Sequence, residues 1–239
     1  MDELLSQRLY GSQPHAAAML RAESETRSPY LGALIQRHFP ADRAAVILDI
    51  GCGTGHLLEE AKRRGYRNIA GVDSAQARVD AARTRGLEKV VCQDLLEHLD
   101  GLPPQSHDLI IAFDVLEHFG GDDLVRLVDA VGKALRPGGR WLIHVPNGAS
   151  PFFGQIFHGD LTHKTPFTAE SLRWLLLASG FRELSCFEDT PLVHGVKSLV
   201  RRIGWGVLRT GLRLWTAIET GDTGRQAVLT RCLLAVATR

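Results

Sequence analysis

The sequence predicts an α/β fold in which helices cover both faces of a mostly parallel sheet, and three observations support this. Compact apolar runs alternate with longer amphipathic stretches from about residue 46 onward. Runs that are apolar throughout are typical of strands buried on both faces, as in parallel sheets. The chain has 239 residues, of which 44% are hydrophobic, and this suits one such domain with its own core.

Seven short apolar segments are the predicted strands. In chain order they are Val46–Ile50, Ile69–Val72, Lys89–Cys92, Leu109–Phe113, Trp141–Val145, Phe181–Phe187 and Ala227–Ala237. The predicted helices between the first five strands are His56–Arg64, Ala75–Arg85, Leu95–His98 and Asp122–Leu135. Pro137 and the two glycines after it predict a turn into the fifth strand. A further helix is predicted over residues 168–178, with Thr168 as its N-cap and Gly180 closing it.

Two regions fall outside this alternation. Residues 1–45 contain no strand pattern and predict a helical N-terminal cap over a site. Residues 196–219 predict one long helix, inside an insertion over residues 190–222 that precedes the last strand. We therefore expect one domain over residues 46–239, with the cap, the insertion and a loop over residues 148–167 added to it.

Composition narrows the function classes. The 28 basic and 27 acidic residues give a net charge of +1. A general nucleic-acid binder has a clear excess of basic residues, so this balance argues against that function class. The four cysteines form no C-x-x-C pair, which excludes a zinc ribbon and predicts a reducing compartment. The N-terminal residues lack a signal-peptide pattern, and no apolar run approaches the length of a membrane span. We expect a cytoplasmic protein.

A glycine-rich turn carries the main chemical signal. A predicted strand ends in Asp49, and Gly51, Gly53 and Gly55 follow before a helix begins. Glycine allows a sharp turn and a close approach by a ligand, and the N–H groups of a helix start suit a carboxylate. A dinucleotide fingerprint requires glycine or alanine where this chain has His56, and a P-loop requires Gly-Lys-Ser/Thr. The spacing fits neither motif.

The pattern Asp49-x-Gly51-x-Gly53-x-Gly55 resembles motif I of the class I methyltransferases that depend on S-adenosyl-L-methionine (SAM). The resemblance extends over about residues 45–187 and the last strand. It implies a Rossmann-like, doubly wound sheet of seven strands with the last strand antiparallel, and SAM as the cofactor. The alternative is a cofactor-free α/β domain in which the glycines serve packing alone.

Three later landmarks match the same family in order. Asp73 ends the second strand where the family has the acid that holds the ribose hydroxyls, and a carboxylate can accept from two adjacent hydroxyls. Asp94 and Leu95 follow the third strand and resemble the adenine contact. The segment Phe113–His118 resembles motif IV, where the sulfonium and the acceptor meet. The cofactor residues implied by the resemblance are Asp49, Gly51, Gly53, Gly55, Asp73, Asp94, Leu95 and Phe113.

Histidines are the candidate bases, because a hydroxyl acceptor benefits from a group that titrates near neutral pH. His118 follows the fourth strand. It either lines the acceptor pocket or caps the next helix and contacts Glu117, and both interpretations stay open. His144 lies inside the fifth strand, and we interpret it as a core histidine with its hydrogen bonds satisfied.

A polar loop after the fifth strand holds the other candidates: His158, Asp160, His163 and Lys164. Its segment from Asp160 to Thr168, preceded by Pro146-Asn147, resembles methyltransferases from polysaccharide and O-antigen biosynthesis clusters, with Leu161 where that pattern has proline. We predict His163, ahead of His158, as the base, with His118 and Asp160 as further catalytic residues. The alternative is an ordered turn. A further alternative is a metal site of the His-x-Asp type, but an aspartate and histidines alone do not establish one, and no metal ligand is assigned.

The helix over residues 196–219 is basic and amphipathic. Its cations are Lys197, Arg201, Arg202, Arg209 and Arg213, and apolar residues recur at helical spacing. It fits packing on the domain, a homodimer contact, closure of the acceptor site or peripheral contact with an anionic membrane.

The sequence favours a SAM-dependent methyltransferase that O-methylates a saccharide or another hydroxylated small molecule with a histidine base. One alternative acceptor is a quinone precursor or a lipid-linked metabolite. Another alternative is a non-catalytic partner protein with the same fold, although the intact cofactor motifs count against it.

Overall fold

The computed structural model describes residues 29–190, 192–193, 195–221 and 227–239, and these form one seven-stranded sheet. The strands are β1 (Val46–Ile50), β2 (Asn68–Asp73), β3 (Val90–Cys92), β4 (His107–Phe113), β5 (Leu135–Pro146), β6 (Glu183–Glu188) and β7 (Cys232–Thr238). Their order is β3-β2-β1-β4-β5-β7-β6. The first five strands pair in parallel, and β7 is antiparallel to both its neighbours. The predicted fold class is confirmed.

The helices follow the predicted alternation. They are α1 (helical residues 29–38), α2 (His56–Arg63), α3 (Gln76–Thr84), α4 (Leu95–Asp100), α5 (Gly121–Ala134), α6 (Phe153–Phe157), α7 (Ala169–Ala178) and α8 (Val196–Thr220). A 3₁₀ turn covers Leu116–His118. None of the described helices combines the length and apolar character that crossing a bilayer requires.

Helices cover the sheet on both faces because its strands alternate their side chains between two cores. Leu48 and Ile50 of β1 join α4, α5 and α7 in one core, whereas Ile47 joins α1, α2 and α3 in the other. The same period of two continues along β4 and β5, as the pleat of a strand requires. The part of the predicted N-terminal cap over residues 1–28 lies outside the described residues, and α1 packs on the sheet.

The starts of β5 and β7 differ most from the sequence prediction, whereas the other strand ends agree to within two residues. β5 begins at Leu135 rather than Trp141, because Leu135 already pairs with His107 of β4 and the strand then bulges through Gly138. Gly138 has a φ of 78° and donates its N–H to Arg239 of the chain end. β7 begins at Cys232 rather than at residue 227, because the carbonyls of Val228 and Thr230 accept from the Asn147 side chain instead of joining the sheet.

The order of the strands reverses between β1 and β4, which lie side by side although β2 and β3 separate them in the chain. The loops after these two strands therefore diverge to opposite sides and leave a crevice at their carboxyl ends. Ligands of open α/β sheets bind in such crevices. The glycine turn after β1 and the segment after β4 meet there.

Candidate functional site

A cavity of about 700 Å³ lies at the carboxyl ends of the parallel strands. Most of the predicted site residues line it, the exceptions being Gly55 and the weaker loop candidates His158 and Lys164: those that do are Asp49, Gly51, Gly53, Asp73, Asp94, Leu95, Phe113, His118, Asp160 and His163. Leu31 of α1 also lines it, so the N-terminal region reaches the site. Its volume is in the range of small-molecule and cofactor sites.

The glycine turn after β1 presents open backbone to the cavity. Gly51 and Gly53 both have positive φ angles, of 69° and 55°. A Cβ on Gly53 would meet nothing within 4 Å, whereas one on Gly51 would clash with Val115 at 2.5 Å. A ligand can therefore approach the backbone at Gly53 closely, as predicted for a cofactor turn.

Gly55 has a different environment from the other two glycines. A Cβ at this position would lie 2.3 Å from Cδ1 of Leu87 and 3.1 Å from Cβ of Ala82. With a φ of 77°, Gly55 precedes α2 and closes the turn through its N–H bond to the Cys52 carbonyl. Close packing beside α3 is therefore sufficient to explain its lack of a side chain, and its assignment as a cofactor contact stays a prediction.

Two acidic side chains lie beneath this turn. Asp73 is buried, and its two carboxylate oxygens accept from the backbone N–H groups of Gly53 and Ala75, each at 2.9 Å. Burial raises the pKa of Asp49 to about 8, and the nearby charge of Asp73 adds to the shift. Asp73 therefore ties the glycine turn to the end of β2, which fixes the geometry of this end of the cavity.

Asp94 lies at the start of α4 and acts as its N-cap. One carboxylate oxygen accepts from the N–H groups of Leu96 and Glu97, at 2.9 and 3.1 Å. The carboxylate is anchored by these bonds and remains exposed beside the cavity. A carboxylate oxygen has more than one acceptor position, so a capping aspartate can still receive a bond from a ligand.

The other end of the cavity is built from the 3₁₀ turn and the loop after β5. Nδ1 of His163 lies 2.8 Å from the carbonyl oxygen of Phe157. A carbonyl only accepts, so we assign the ring proton to Nδ1 and the lone pair to Nε2. Nε2 lies 3.9 Å from Oε1 of Glu117 and 4.0 Å from Oδ2 of Asp160.

His118 is oriented in the same manner. Its Nδ1 lies 2.9 Å from the hydroxyl of Thr162, and that hydroxyl donates to Asp160 at 2.7 Å. The hydroxyl therefore accepts from Nδ1, and the lone pair of His118 is on Nε2. Burial lowers the pKa of His118, and the charge of His163 lowers it further. His118 thus lines the cavity, which is the first of its two sequence interpretations.

Glu117 is a site residue that sequence reasoning missed as a candidate. Its side chain is fully buried and lines the cavity, and neither carboxylate oxygen has a hydrogen-bond partner among the described residues. Burial raises its pKa to about 8, with the charge of Asp114 adding to the shift. The only sequence signal for Glu117 was its position in the segment after β4, and the sequence did not show that its side chain is buried.

Backbone bonds join the two segments that form this end. The N–H groups of Lys164 and Thr165 both donate to the carbonyl of Glu117, at 2.7 and 3.1 Å. Glu117, His118 and His163 each offer a ligand atom, and these atoms lie within 4.8 Å of one another. The arrangement can hold a proton, a hydroxyl-rich ligand or a cation.

His158, the weaker candidate base, is exposed and does not line the cavity. His144 is buried and paired, as interpreted, and it bridges two carboxylates: Nδ1 lies 2.7 Å from Asp114 and Nε2 lies 3.6 Å from Asp189. Burial disfavours its charged form, but the charge of Asp114 and the hydrogen bonds to both acids outweigh this and raise its pKa well above the ordinary value. Phe113 stacks on its ring at 4.9 Å.

Comparison with known protein families identifies the chain's relatives. The model of a family described as a methyltransferase domain matches residues 24–185, more than half of the chain. The chain belongs to this methyltransferase-domain family. The matched range contains the glycine turn, the acids after β2 and β3, and the whole cluster around His163.

Individual relatives match different shares of this chain and of their own length. The chain is 30% identical over 168 residues to the ubiquinone biosynthesis O-methyltransferase of Aeromonas salmonicida, covering 63% of this chain and 69% of that protein. It is 33% identical over 147 residues to the Probable tRNA methyltransferase 9B of Bos taurus, covering 55% of this chain and 31% of that protein. The chain thus spans about a third of the length of the tRNA methyltransferase relative.

Solved methyltransferases share the fold. The crystal structure of a SAM-dependent methyltransferase from Archaeoglobus fulgidus has a TM-score of 0.67 at 23% identity, covering 92% of this chain and 99% of that one. A phosphoethanolamine N-methyltransferase of Haemonchus contortus, solved with SAM, has a TM-score of 0.60 at 17% identity, covering 88% of this chain and 52% of that one.

Proposed function

We propose that this protein is a SAM-dependent methyltransferase that transfers the methyl group to a hydroxyl oxygen of a small-molecule acceptor. The observation that carries the proposal is a single cavity with two unlike ends. One end has open glycine backbone and the acids Asp73 and Asp94, and the other has the Glu117, His118 and His163 cluster. Membership of the methyltransferase-domain family supports the reaction class.

The cofactor end fits SAM in its donor set. In the proposal, the carboxylate oxygens of Asp73 receive the ribose hydroxyls, and Asp94 with the backbone of Leu95 contacts the adenine. The open space at Gly53 leaves room for the methionine portion. When bound, SAM supplies an electrophilic methyl carbon on its sulfonium, and catalysis then consists mainly of positioning and proton removal.

His163 is the proposed base. Transfer of the SAM methyl group to an acceptor hydroxyl would form the C–O bond and break the C–S bond with its electron pair on sulfur, and it would leave the hydroxyl proton to be removed by a residue of this chain. Nε2 of His163 takes the hydroxyl proton, since its lone pair faces the cavity while Nδ1 is held by the Phe157 carbonyl. Asp160 and His118 support the loop through Thr162.

The proposed acceptor is a saccharide or another compound rich in hydroxyls. Asp160 and the Nε2 atoms of the two histidines are hydrogen-bond acceptors, which complements a ligand with several O–H donors. The loop's resemblance to enzymes of polysaccharide clusters supports the same class. A quinone precursor is the second candidate, because one relative is a ubiquinone biosynthesis O-methyltransferase. Absence of a nucleic-acid acceptor stays a prediction.

Two histidine variants test whether His163 is the base. With tritiated SAM and a panel of nucleotide sugars, monosaccharides and catechols, we expect His163→Ala to lower kcat on the accepted substrate by about 10²- to 10⁴-fold, the usual contribution of a general base. Its affinity for SAM should be unchanged in calorimetry. His158→Ala, on the same loop but outside the cavity, is the control. Near-normal turnover of His163→Ala would show that His163 is not the base.

Calorimetry of the unmodified chain with SAM tests the remaining alternative, a non-catalytic partner protein. We expect one SAM per chain. Undetectable binding would contradict the enzyme proposal and favour the partner protein.

We also propose that α8 contacts an anionic membrane surface, which would favour a lipid-linked form of the acceptor. The support is an exposed apolar stripe on the side of α8 that faces away from the domain, comprising Val196, Val200, Ile203, Val207, Leu214 and Ile218. We call these residues the outer stripe. Amphipathic helices with such a stripe and basic flanks lie in the headgroup region of bilayers.

A homodimer contact through the same outer stripe is the alternative occupant. An isologous pair would bring two sets of cations close together, since Lys197, Arg201 and Arg213 lie on the same helix. An anionic surface has the complementary charge. We therefore favour the membrane surface and treat a dimer as an outcome of the test.

A further inference from the structure

We propose that Glu117, His118 and His163 bind one divalent transition-metal cation at the acceptor end of the cavity. The binding itself is independent of the proposed function, whereas its catalytic role rests on it. The sequence prediction assigned no metal, because the three residues become neighbours only when the loop after β5 folds against the 3₁₀ turn.

The donor set is the first argument. Two imidazoles and one carboxylate on one side of a cation leave the other positions open, which is the arrangement of many catalytic zinc and non-haem iron sites. Here the open side faces the cavity that receives the substrates. Nitrogen ligands favour zinc, iron, cobalt or manganese over calcium, which takes oxygen ligands.

The orientation of the two histidines is the second argument. Nδ1 of His163 is held by the Phe157 carbonyl, and Nδ1 of His118 is held by the Thr162 hydroxyl. Metal-binding histidines almost always donate their other ring N–H to such a partner, which fixes the tautomer and aims the lone pair. Asp160 accepts from Thr162 and so completes the support of His118.

The spacing of the ligand atoms is the third argument. Oε1 of Glu117 and Nε2 of His163 are 3.9 Å apart, and the three ligand atoms lie within 4.8 Å of one another. Ligands bound at about 2.1 Å from a cation are separated by at most about 4.2 Å. The Glu117–His163 pair already meets this limit, and the widest pair, at up to 4.8 Å, has to close by about half an ångström when a cation binds. A gap of 3.9 Å between two acceptor atoms is too long for a hydrogen bond and suits an ion between them.

The burial of Glu117 is the fourth argument. Its side chain is fully buried in the wall of the cavity and has no hydrogen-bond partner on either oxygen among the described residues. A buried carboxyl group that lacks a partner is costly to ionise, and the acidic groups around it, Asp114 and Asp160, add to that cost. A cation supplies the missing charge compensation.

A bound cation also changes how the acceptor loses its proton. The acceptor hydroxyl occupies an open position on the cation, which makes the O–H group more acidic. The oxygen attacks the methyl carbon, the C–O bond forms, the C–S bond breaks with its electron pair on sulfur, and the proton passes to the Asp160 carboxylate. His163 is then a ligand. If no cation binds, Nε2 of His163 keeps the role of base.

Metal binding to the full chain, measured without SAM or acceptor, tests the proposal. The purified chain is stripped with a chelator and titrated calorimetrically with Zn²⁺ and Mn²⁺, and Co²⁺ binding is followed by visible absorption. We expect one cation per chain. Glu117→Gln and His118→Asn should each weaken binding at least tenfold, whereas His158→Ala, an exposed histidine on the same loop, should bind as the unmodified chain does.

The outcomes separate this inference from the proposed function. Calorimetry with SAM checks that Glu117→Gln still folds, because the cofactor end does not include Glu117. Absence of stoichiometric cation binding, or equal binding by Glu117→Gln, overturns the metal site, and methyl transfer by the metal-free chain then leaves the proposed function intact. A chain that binds the cation but neither binds SAM nor transfers methyl groups keeps the metal site and contradicts the proposed function.

Discussion

Gly53 and Gly55 lie two residues apart in the turn after β1, and the structure gives them different reasons to be glycine. Gly53 donates its N–H to Asp73 and leaves open space where a Cβ would be. Gly55 abuts Leu87 and Ala82. Both have positive φ angles, which cost a non-glycine residue about 1–2 kcal/mol. One motif therefore combines a ligand-facing glycine with a packing glycine.

Alanine substitutions separate these two roles. We expect Gly53→Ala to weaken SAM binding in calorimetry with only a small loss of stability. We expect Gly55→Ala to lower the free energy of unfolding by about 1–3 kcal/mol more than Gly53→Ala does, because its Cβ overlaps Leu87. Urea denaturation measures the second effect. Equal destabilisation by both variants would contradict the distinction.

Asp73 is the acidic residue on which the cofactor end depends most. Loss of its charge in Asp73→Asn should weaken SAM binding by about 10- to 100-fold, since hydrogen bonds to a charged group contribute about 1.5–3 kcal/mol. Calorimetry measures the change. Asp80→Asn, an exposed aspartate on α3, is the matched control and should bind SAM normally. If Asp73→Asn bound SAM with unchanged affinity, Asp73 would not be a cofactor-binding residue.

Glu117 shows where residue-level prediction from sequence fails. In the sequence it is one acid in a polar run after a strand, next to His118. Its importance comes from complete burial and from the loop carrying His163, which binds its backbone through Lys164 and Thr165. Burial and distant contacts are properties of the folded chain, so the sequence contained no signal strong enough to single it out.

Among the elements, α8 is unusual because it is attached by one side and exposes apolar residues on the other. Arg209 pairs with Glu188 at the end of β6, at 2.7 Å, and Arg202 binds the Thr190 hydroxyl. Ile203 and Val207 of the outer stripe are 60% and 71% exposed. The periodicity predicted the helix, but only the structure shows that α8 is held through the side chains of Arg209 and Arg202, with Ser198 as its one buried residue among those described.

Charged substitutions on the outer stripe test whether it contacts an anionic membrane or a second copy of the chain. The double variant Ile203→Glu with Val207→Glu should reduce flotation with phosphatidylglycerol-containing vesicles at least tenfold, because it removes apolar contact and adds negative charge. Val125→Glu, an exposed apolar position on α5, is the control. Unchanged flotation, or no flotation of the unmodified chain, would contradict membrane contact. Conversion of a dimer to a monomer by the double variant would favour the homodimer.

Strand boundaries were predicted less well than strand identities. Pro137, Gly138 and Gly139 have the composition of a turn, yet they lie inside β5, because Leu135 and Arg140 on either side both pair with β4. A bulge and a turn require the same residue types. Only pairing with the neighbouring strand distinguishes a bulge from a turn, so the start of β5 could not be predicted from the local sequence.

Across the whole molecule, α1 links the N-terminal region to the far edge of the sheet. His38 of α1 is buried, and its ring lies 5.2 Å from that of Phe187 in β6. Burial lowers the pKa of His38 to about 4, and the charges of Arg37 and Arg140 lower it further. The neutral imidazole is therefore part of the packing between α1 and the sheet.

The lowered pKa of His38 predicts that the stability of the folded chain depends on pH. Its pKa is lower in the folded chain than the ordinary value of about 6.5, so the unfolded chain binds more protons between pH 6.5 and 4. Stability should therefore fall as the pH falls through this window, by about 1–3 kcal/mol from His38. Urea denaturation at pH 7.5 and 4.5 should show a smaller loss for His38→Phe than for the unmodified chain or His158→Ala. An equal loss would contradict the prediction.

The residues of the proposed cofactor end were all named from the sequence, whereas those of the proposed acceptor end were named only in part: His118, Asp160 and His163 were predicted to lie there, and Glu117 was missed. Asp49, Gly53, Asp73 and Asp94 lie at or just after strand ends, and parallel strands bring their carboxyl ends to one edge whatever the details of packing. The acceptor end depends on a long loop returning to the 3₁₀ turn through backbone bonds to Glu117, which buries its carboxylate beside His163. Local patterns encode strands and turns, whereas desolvation and contacts between distant segments exist only in the folded chain.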